Sequence, residues 1–202
     1  MLTAYKTLRY AHGITANIYY DPEPTSPAEW DNLGEIAYCS DRYTLGTQEV
    51  TRERMHEIAA AIESGEYIGL PVYAYVHGGA TIRCASAFSC PWDSGQSGFV
   101  YVSKAKVREE WKCKRISPKL RETVLSSLRG LVEEFDQFLT GDVYGVVVTN
   151  AEGDEIDACW GYYGSDYVEE EAEGMAQHAV AAAEKEVAEA QYWAERDVCT
   201  TN

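Results

Sequence analysis

The chain has 202 residues, 46% of them hydrophobic and 12% aromatic, which is enough to bury the core of a globular domain and excludes a disordered chain. Its net charge at pH 7 is −16, from 33 acidic and 17 basic side chains. No apolar run reaches the roughly 18 to 20 residues that cross a bilayer, and the first residues do not resemble a signal peptide. The sequence therefore predicts a cytoplasmic protein that makes no contact with membranes.

The charge is unevenly distributed along the chain. Residues 1–103 carry 12 acidic and 6 basic side chains, residues 104–122 carry 3 and 8, and residues 123–202 carry 18 and 3. The acidic C-terminal part produces a field that repels nucleic acid and attracts basic surfaces. Solubility alone is the alternative explanation for this charge.

The first half of the chain predicts strands around one amphipathic helix. Residues 15–20 form a short β-branched and aromatic strand, which a proline-rich segment stops. Trp30 follows and is expected to be buried. A helix begins after Thr51, because apolar residues then recur at helical spacing, at Met55, Ile58, Ala59 and Ile62. Residues 67–76 and 81–87 predict a hairpin that turns at two glycines.

The middle of the chain predicts a structured loop that leads into a core strand. Pro91 and Gly95 interrupt regular structure, and the run 99–102 has strand composition. We expect Trp92 to be buried and Asp93 to accept backbone hydrogen bonds, so that replacing Trp92 by Ala destabilises the protein by about 3 to 5 kcal/mol. A short basic helix from Lys104 to Lys114 follows the strand.

The second half predicts two helices and a second hairpin. Ser117 caps a helix with Pro118 at its first position, and its apolar stripe ends at Gly141. Strands 143–149 and 155–160 form the hairpin, with Val146, Val148, Ile156 and Ala158 expected to face inward. A final helix runs from Asp166 to about Asp197.

The order of these elements predicts an α+β fold. It consists of an antiparallel sheet of about five or six strands with helices packed on one face, and a long acidic C-terminal helix. The predicted division places the α+β core domain at residues 1–164 and the acidic helix at 165–202. Removing residues 166–202 is accordingly expected to leave residues 1–164 folded and to abolish or weaken the binding of a partner.

Several segments of the chain form long, specific motifs. They read FSCPWDSGQ at 88–96, GFVYVSK at 98–104, LTGDVYG at 139–145 and CWGYYG at 159–164, with SPAEWDNLG at 26–34 in addition. These motifs resemble a widespread family of uncharacterised phage and mobile-element proteins, over roughly residues 15–164. That family has no established activity. The resemblance implies a genetic setting, since proteins of mobile elements often act on host defence.

The charge and the resemblance together predict a non-enzymatic inhibitor of host defence, of anti-CRISPR or anti-restriction type. Its acidic surface would mimic nucleic acid and bind the basic surface of a host nucleic-acid-binding complex, without binding nucleic acid directly. The C-terminal helix carries the expected partner-binding carboxylates, which are Glu169, Glu170, Glu171, Glu173, Glu184, Glu186, Glu189 and Glu195. A homodimer through the Ala-rich seam of the same helix is a further alternative.

A small cysteine-dependent hydrolase or transferase is the alternative from a different class. Cys90 would be the nucleophile, His77 the base and Asp93 the orienting acid, because a thiolate needs a nearby imidazole. We expect neither a cofactor nor a metal, since the four histidines and six cysteines lack ligand spacing and no glycine-rich nucleotide motif is present. We expect Cys90→Ser to leave function intact. Loss of activity in a folded Cys90→Ser protein would instead support the enzyme interpretation.

Overall fold

A computed structural model describes residues 3–40, 42–84, 88–90 and 92–199, with residues 195 and 197–199 described in their backbone alone. Nine strands lie in the described chain, and they are β1 (Lys6–Arg9), β2 (Thr15–Tyr20), β3 (Glu35–Tyr38), β4 (Gln48–Glu49), β5 (Tyr67–Val76), β6 (Ala80–Arg83), β7 (Ser94–Ser103), β8 (Val143–Thr149) and β9 (Glu155–Tyr163). The four α-helices of the same residues are α1 (Arg52–Glu63), α2 (Lys104–Glu110), α3 (Pro118–Thr140) and α4 (Ser165–Cys199). The α+β class is confirmed.

The strands form two sheets instead of the single predicted sheet. A four-stranded sheet has the order β1-β2-β8-β9, and a five-stranded sheet has the order β4-β3-β7-β5-β6. The chain divides into two compact units, one made of Met1–Pro24 with Asp142–Asn202 and the other of Thr25–Gly141. We call them the terminal unit and the central unit. The predicted boundary at residue 164 coincides with neither edge of these units, because α4 belongs with the four-stranded sheet.

In the terminal unit, α4 covers one face of the four-stranded sheet. Val168, Ala172 and Ala176 are spaced by four residues, so they share one face of the helix, and all three are fully buried. They pack in one cluster with Ile18 of β2 and with Val146 and Val148 of β8, among other residues. From Glu184 onward, every described side chain of α4 is exposed. Only the first half of the helix therefore contributes to a core.

The predicted inward pair Ile156 and Ala158 of β9 is wrong by one residue. In the structure, Val146 lies opposite Cys159 and Val148 lies opposite Asp157. Because side chains alternate along a strand, this register places Ile156 on the other face, and its side chain is 48% exposed. Bulges on both sides of this paired stretch set the register.

In the central unit, helices pack on both faces of the five-stranded sheet, whereas helices on one face of a single sheet were expected. Helix α3 packs on the face that carries Ile36 of β3 and Val100 of β7. Ile58 of α1 clusters with Ala37 and Tyr101, the neighbours in sequence of those two residues. Since neighbours in a strand point to opposite faces, α1 lies on the side opposite α3.

The ends of α3 follow the sequence signals, whereas α2 ends at Glu110 instead of the predicted Lys114, and Lys112 has a positive φ of 48°. The hydroxyl oxygen of Ser117 accepts a hydrogen bond from the amide of Leu120 at 3.1 Å, and Pro118 occupies the first turn. Gly141 ends α3 in the left-handed conformation, at φ 73°.

No helix in the described ranges is long and apolar enough to span a bilayer.

Candidate functional site

The negative charge is concentrated in the terminal unit. Its 85 residues carry 17 acidic and 4 Lys or Arg side chains, a net charge of −13, whereas the central unit carries 16 and 13, a net charge of −3. Because acids outnumber Lys and Arg about fourfold there, most of the carboxylates cannot be ion-paired inside the unit. The compact unit that contains α4 therefore presents an acidic surface.

The carboxylates predicted to bind a partner occupy two different environments along α4. Glu169 lies beside the sheet and forms an ion pair of 2.6 Å with Lys6. Glu171 is also half-buried, and its negative charge is the main cause that raises the pKa of the neighbouring Tyr167 phenol. Glu170 and Glu173 are exposed on the same half of the helix.

The second half of α4 carries the most accessible carboxylates. Glu184, Glu186 and Glu189 are exposed, with Glu184 at 3.8 Å from the Nε2 atom of His12, while the side chain of Glu195 lies outside the described residues. Two exposed aromatic residues, Tyr192 and Trp193, lie further along the helix. The side chain of Trp193 is 55% exposed, and its ring packs edge-on against that of Tyr192. The free half of the helix thus combines carboxylates with an aromatic surface.

Further carboxylates of the same unit surround the β8–β9 turn. Glu152, Asp154, Glu155 and Asp157 are all exposed, and the side chain of Asn150 closes the turn by accepting from the amides of Glu152 and Asp154 at 3.1 and 2.8 Å. The two Asn150 bonds account for the conformation of the turn. The four carboxylates add to the acidic surface of the unit.

The three residues of the alternative catalytic proposal lie together in the central unit. Nδ1 of His77 is 3.3 Å from Oδ2 of Asp93, and the Cys90 thiol donates to the same oxygen at 3.7 Å. Backbone bonding places Asp93 at the end of β5, because its carbonyl accepts from the amide of Val76 at 2.9 Å. Asp93 therefore lies against both the sulfur and the imidazole. A nucleophilic thiol needs the imidazole itself against the sulfur, so the observed order does not match the proposed relay.

The loop around Asp93 is held by local bonds. The Ser94 hydroxyl donates to the carbonyl oxygen of Phe88 at 3.4 Å and also to that of Cys90. The guanidinium of Arg83 lies 3.9 Å from the centre of the Phe88 ring. Residues 85–87 and Pro91 of this loop, including the predicted end of the β6 strand, lie outside the described residues.

The prediction that Trp92 is buried is wrong, because its side chain is 93% exposed. Trp30, also expected to be buried, is 37% exposed. Both residues follow turn-forming segments, where the chain runs along the surface and an aromatic residue is not forced inward. Hydrophobic character alone did not distinguish these two tryptophans from core residues.

We now expect Trp92→Ala to change the free energy of unfolding by less than about 0.5 kcal/mol, as for an ordinary surface substitution. Phe135→Ala in the fully buried core of α3 is the matched comparison and should cost about 3 to 5 kcal/mol. Urea denaturation of both variants measures the difference. A loss above about 2 kcal/mol for Trp92→Ala would contradict the exposed position.

The described cysteines differ in their accessibility. Cys39 and Cys159 are exposed, whereas Cys84 is half-buried and burial raises the pKa of its thiol to about 11, with a contribution from Glu133 and an opposing one from Arg129. Since the thiolate is the reactive form, Cys84 has little of it near neutral pH.

Alkylation with iodoacetamide at pH 8 should therefore modify Cys39 and Cys159 at least about ten times faster than Cys84. Peptide mass spectrometry of timed samples gives the rate at each cysteine. If Cys84 reacted as fast as Cys39, its burial in the cluster with α3 would be refuted.

The sequence did not predict the polar cluster formed by Tyr101, Glu35 and Gln48. The Tyr101 hydroxyl donates to Oε2 of Glu35 at 3.0 Å and lies 3.3 Å from Oε1 of Gln48. Strand alternation around Val100 and Val102 already indicated that Tyr101 faces away from them. Its partners come from β3 and β4, however, and the sequence signal did not indicate that these strands are its neighbours.

Neither a cluster of metal ligands nor a similar known protein indicates what this site does. In the part of the chain that the structure describes, no group of three or more His, Cys, Asp or Glu side chains is arranged to hold a metal ion. No protein-family model matches the sequence, and searches of curated proteins and of solved structures find no significant match.

Proposed function

We propose that this protein is a non-enzymatic inhibitor that binds the basic nucleic-acid-binding surface of another protein through the acidic terminal unit. The single observation that carries the proposal is the concentration of charge: a net −13 in 85 residues, with an exposed helix half that carries Glu184, Glu186 and Glu189. The resemblance to phage and mobile-element proteins supports a partner in host defence, of CRISPR or restriction type, in the host cytoplasm.

The linear charge density of α4 is suited to mimicry of nucleic acid. Residues 169–189 contain seven glutamates and one lysine, and as an α-helix they extend for about 30 Å. One strand of B-DNA carries a phosphate every 3.4 Å, or about nine over that length. The seven glutamates fall in two groups, at 169–173 and 184–189, so the helix approaches the total charge of one strand over this length without its even spacing. A channel lined with Lys and Arg would attract each group.

Charge alone steers a complex more than it holds it. Exposed ion pairs contribute about 0 to 1 kcal/mol each, so several of them must act together to give a stable complex. The aromatic end of α4, with Trp193 and Tyr192, supplies the kind of side chain that most often dominates binding energy at protein interfaces. Trp193 and Tyr192 lie with Glu184, Glu186 and Glu189 on the half of the helix that packs against no core.

The test is inhibition of DNA binding by purified type I restriction and CRISPR effector nucleases. The protein should displace a DNA duplex from at least one of them, and the inhibition should weaken as salt is added. Replacing Glu184, Glu186 and Glu189 together by Gln should weaken inhibition roughly tenfold, at about 0.5 kcal/mol for each lost pair.

A matched control separates position from total charge. Glu63, Glu66 and Glu109 are exposed carboxylates of the central unit, and replacing all three by Gln changes the net charge by the same amount. This control should inhibit like the unchanged protein. Equal weakening by both triple variants, or inhibition that does not respond to salt, would contradict the assignment of the surface.

A further inference from the structure

A single cavity of the central unit is lined by one face of α1, by a segment of β7 and by Cys39, which follows β3. Its volume is about 430 Å³, within the range of small-molecule sites, roughly 300 to 1,000 Å³. Arg52, Met55, His56 and Ala59 all line it, and their spacing of three and four residues places them on the same face of α1. We call it the Arg52 cavity. Because one cavity collects all these side chains, one small molecule can contact them together.

The apolar wall of the Arg52 cavity is anchored in the core. Met55 of α1 and Phe99 of β7 are half-buried, and both pack against the cluster of Ile58, Ala37 and Tyr101. The same two side chains line the cavity. A thioether and a phenyl ring both make favourable contacts with an aromatic ring. The cavity therefore offers an apolar surface that is arranged before any ligand binds, which lowers the entropy lost on binding.

A β-bulge shapes the wall that β7 contributes. Val72 of β5 pairs with Gly98 and the next residue of β5 pairs with Gln96, so Ser97 is an extra residue between them. The side-chain amide of Gln96 donates to the carbonyl oxygen of Gly98 at 3.3 Å, and the Ser97 hydroxyl donates to that of Val72, also at 3.3 Å. The amide of Cys39 donates to the carbonyl oxygen of Ser97 at 3.2 Å. These bonds hold the polar wall in a fixed position beside the apolar one.

The ionisable side chains of the cavity are basic, in contrast to the protein as a whole. Its described lining includes Arg52 and His56, one turn apart on α1, and no Asp or Glu. None of the ion pairs of the described chain involves either residue. Glu53 lies outside the lining, and its pKa is lowered by its own backbone and the Thr51 hydroxyl first, and by the charges of His56 and Arg52 in addition. The two basic groups are therefore accessible to an anion in the cavity.

We propose that the Arg52 cavity binds a small organic anion, with its carboxylate or phosphate group on Arg52 and His56 and an aromatic ring against Met55 and Phe99. A guanidinium group matches the paired oxygens of both anions, and an imidazole donates an N–H in either protonation state. The amide of Gln96 offers a donor and an acceptor to polar atoms at the edge of the ring. All of these residues belong to the central unit, so this site does not depend on the inhibitor function.

The test compares anions with their neutral counterparts by calorimetric titration of the full chain. The pairs are adenosine 5′-monophosphate with adenosine, and indole-3-acetate with indole-3-acetamide. At least one anion should bind, at least about tenfold more tightly than its neutral counterpart, because a hydrogen bond between charged groups is stronger than one between neutral groups. The pair that shows the difference distinguishes a phosphate ligand from a carboxylate ligand.

Two variants and a matched control locate the binding. Arg52→Gln should weaken the binding of that anion at least about tenfold. Arg54→Gln removes the same charge from the same helix, but Arg54 lies outside the cavity and pairs with Glu57 at 2.8 Å, so this control should bind as the unchanged chain does. Ala59→Trp fills the cavity without changing the charge and should abolish binding. Circular dichroism confirms that each variant is folded.

Cys39 provides a second measurement inside the same cavity. At ten times its Kd, the bound anion leaves about one chain in ten with an empty cavity, so it should slow the alkylation of Cys39 by iodoacetamide about tenfold. Cys159 is also exposed but belongs to the terminal unit, and its alkylation should not change. Peptide mass spectrometry measures both rates in one sample.

Four results would overturn the proposal. The first is the absence of binding by both anions up to about 5 mM, where a weak ligand still gives measurable heat. The second is equal binding of an anion and its neutral counterpart. The third is equal weakening by Arg52→Gln and Arg54→Gln, which would indicate an effect of total charge. The fourth is an unchanged alkylation rate of Cys39 in the presence of a bound anion, which would place that anion elsewhere.

Discussion

Ending the chain after Gly164 is expected to unfold the terminal unit, whereas ending it after Ala183 should leave that unit folded. The shorter chain lacks Val168, Ala172 and Ala176, the fully buried side chains through which α4 covers the four-stranded sheet. Ile14, Ile18, Val146 and Val148 would then lose this cover. Exposure of each such side chain costs about 1.5 to 3 kcal/mol, and the sum is comparable with the 5 to 15 kcal/mol that stabilises a whole domain.

Hydrogen exchange at the amides of β2 and β8 measures this effect directly, because the two strands pair with each other at the centre of the sheet. Protection should be lost in the chain that ends at residue 164 and retained in the chain that ends at 183. This expectation reverses the one drawn from the predicted boundary at 164. Full protection of β8 in the 164-residue chain would restore the view of α4 as an appended helix.

The two truncations also separate folding from partner binding. The chain that ends at residue 183 keeps the covered sheet and loses Glu184, Glu186, Glu189 and the aromatic end of α4. Loss of inhibition in this chain would support a binding role for the exposed helix half. Removal of residues 166–202, the experiment suggested by the sequence, would lose both properties together and could not distinguish them.

The elements that sequence predicted well have strong local signals. Helix α3 begins at a serine cap with proline in the first turn and ends at a glycine in the left-handed conformation. Its buried stripe includes Val124, Leu128 and Phe135, as helical periodicity indicated. Helix α1 likewise follows the predicted Thr51 cap and buries Ile58. For these helices, local chemistry and tertiary packing favour the same structure.

The features that sequence could not predict depend on distant pairing. Strand β2 pairs with β8, more than a hundred residues later, and this pairing separates the chain into two sheets. Alternating side chains indicate a strand but do not identify its neighbour, so a single sheet was an equally consistent interpretation. The face of the sheet on which Ile156 lies could not be predicted either, because the bulges that set the register of β9 leave no simple pattern in the sequence.

The candidate site was likewise predictable only in part from the sequence. The excess of acid near the C terminus is evident from composition, because residues 142–202 alone carry 15 acidic and 2 Lys or Arg side chains, which is the whole net charge of −13 of the terminal unit. Composition does not indicate that residues 1–24 belong to the same unit. Asp93 contacts both His77 and Cys90, so the carboxylate lies against the sulfur where the alternative enzyme interpretation required the imidazole.

The last expected result concerns Gly98 of β7, which is the first residue of the GFVYVSK motif. Gly98→Ala should lower the free energy of unfolding of the central unit by about 3 kcal/mol or more, at the upper end of the range for overpacking. A methyl group at this position would lie 1.8 Å from the carbonyl oxygen of Ala37 in β3. Because β7 lies between β3 and β5, neither neighbour can move without disturbing the ladder that Gly98 forms with Tyr38 and Val72.

Gly95→Ala on the same strand is the matched control. A methyl group there meets no atom within 4 Å, so the substitution should be neutral or stabilise the strand by up to about 1 kcal/mol. Urea denaturation followed by exchange at the β7 amides compares the two variants, with an unchanged dependence on urea expected for both. Similar stability of the two variants would mean that β3 does not approach β7 as closely as the structure shows, and the hydrogen bond from Tyr101 to Glu35 would be in question with it.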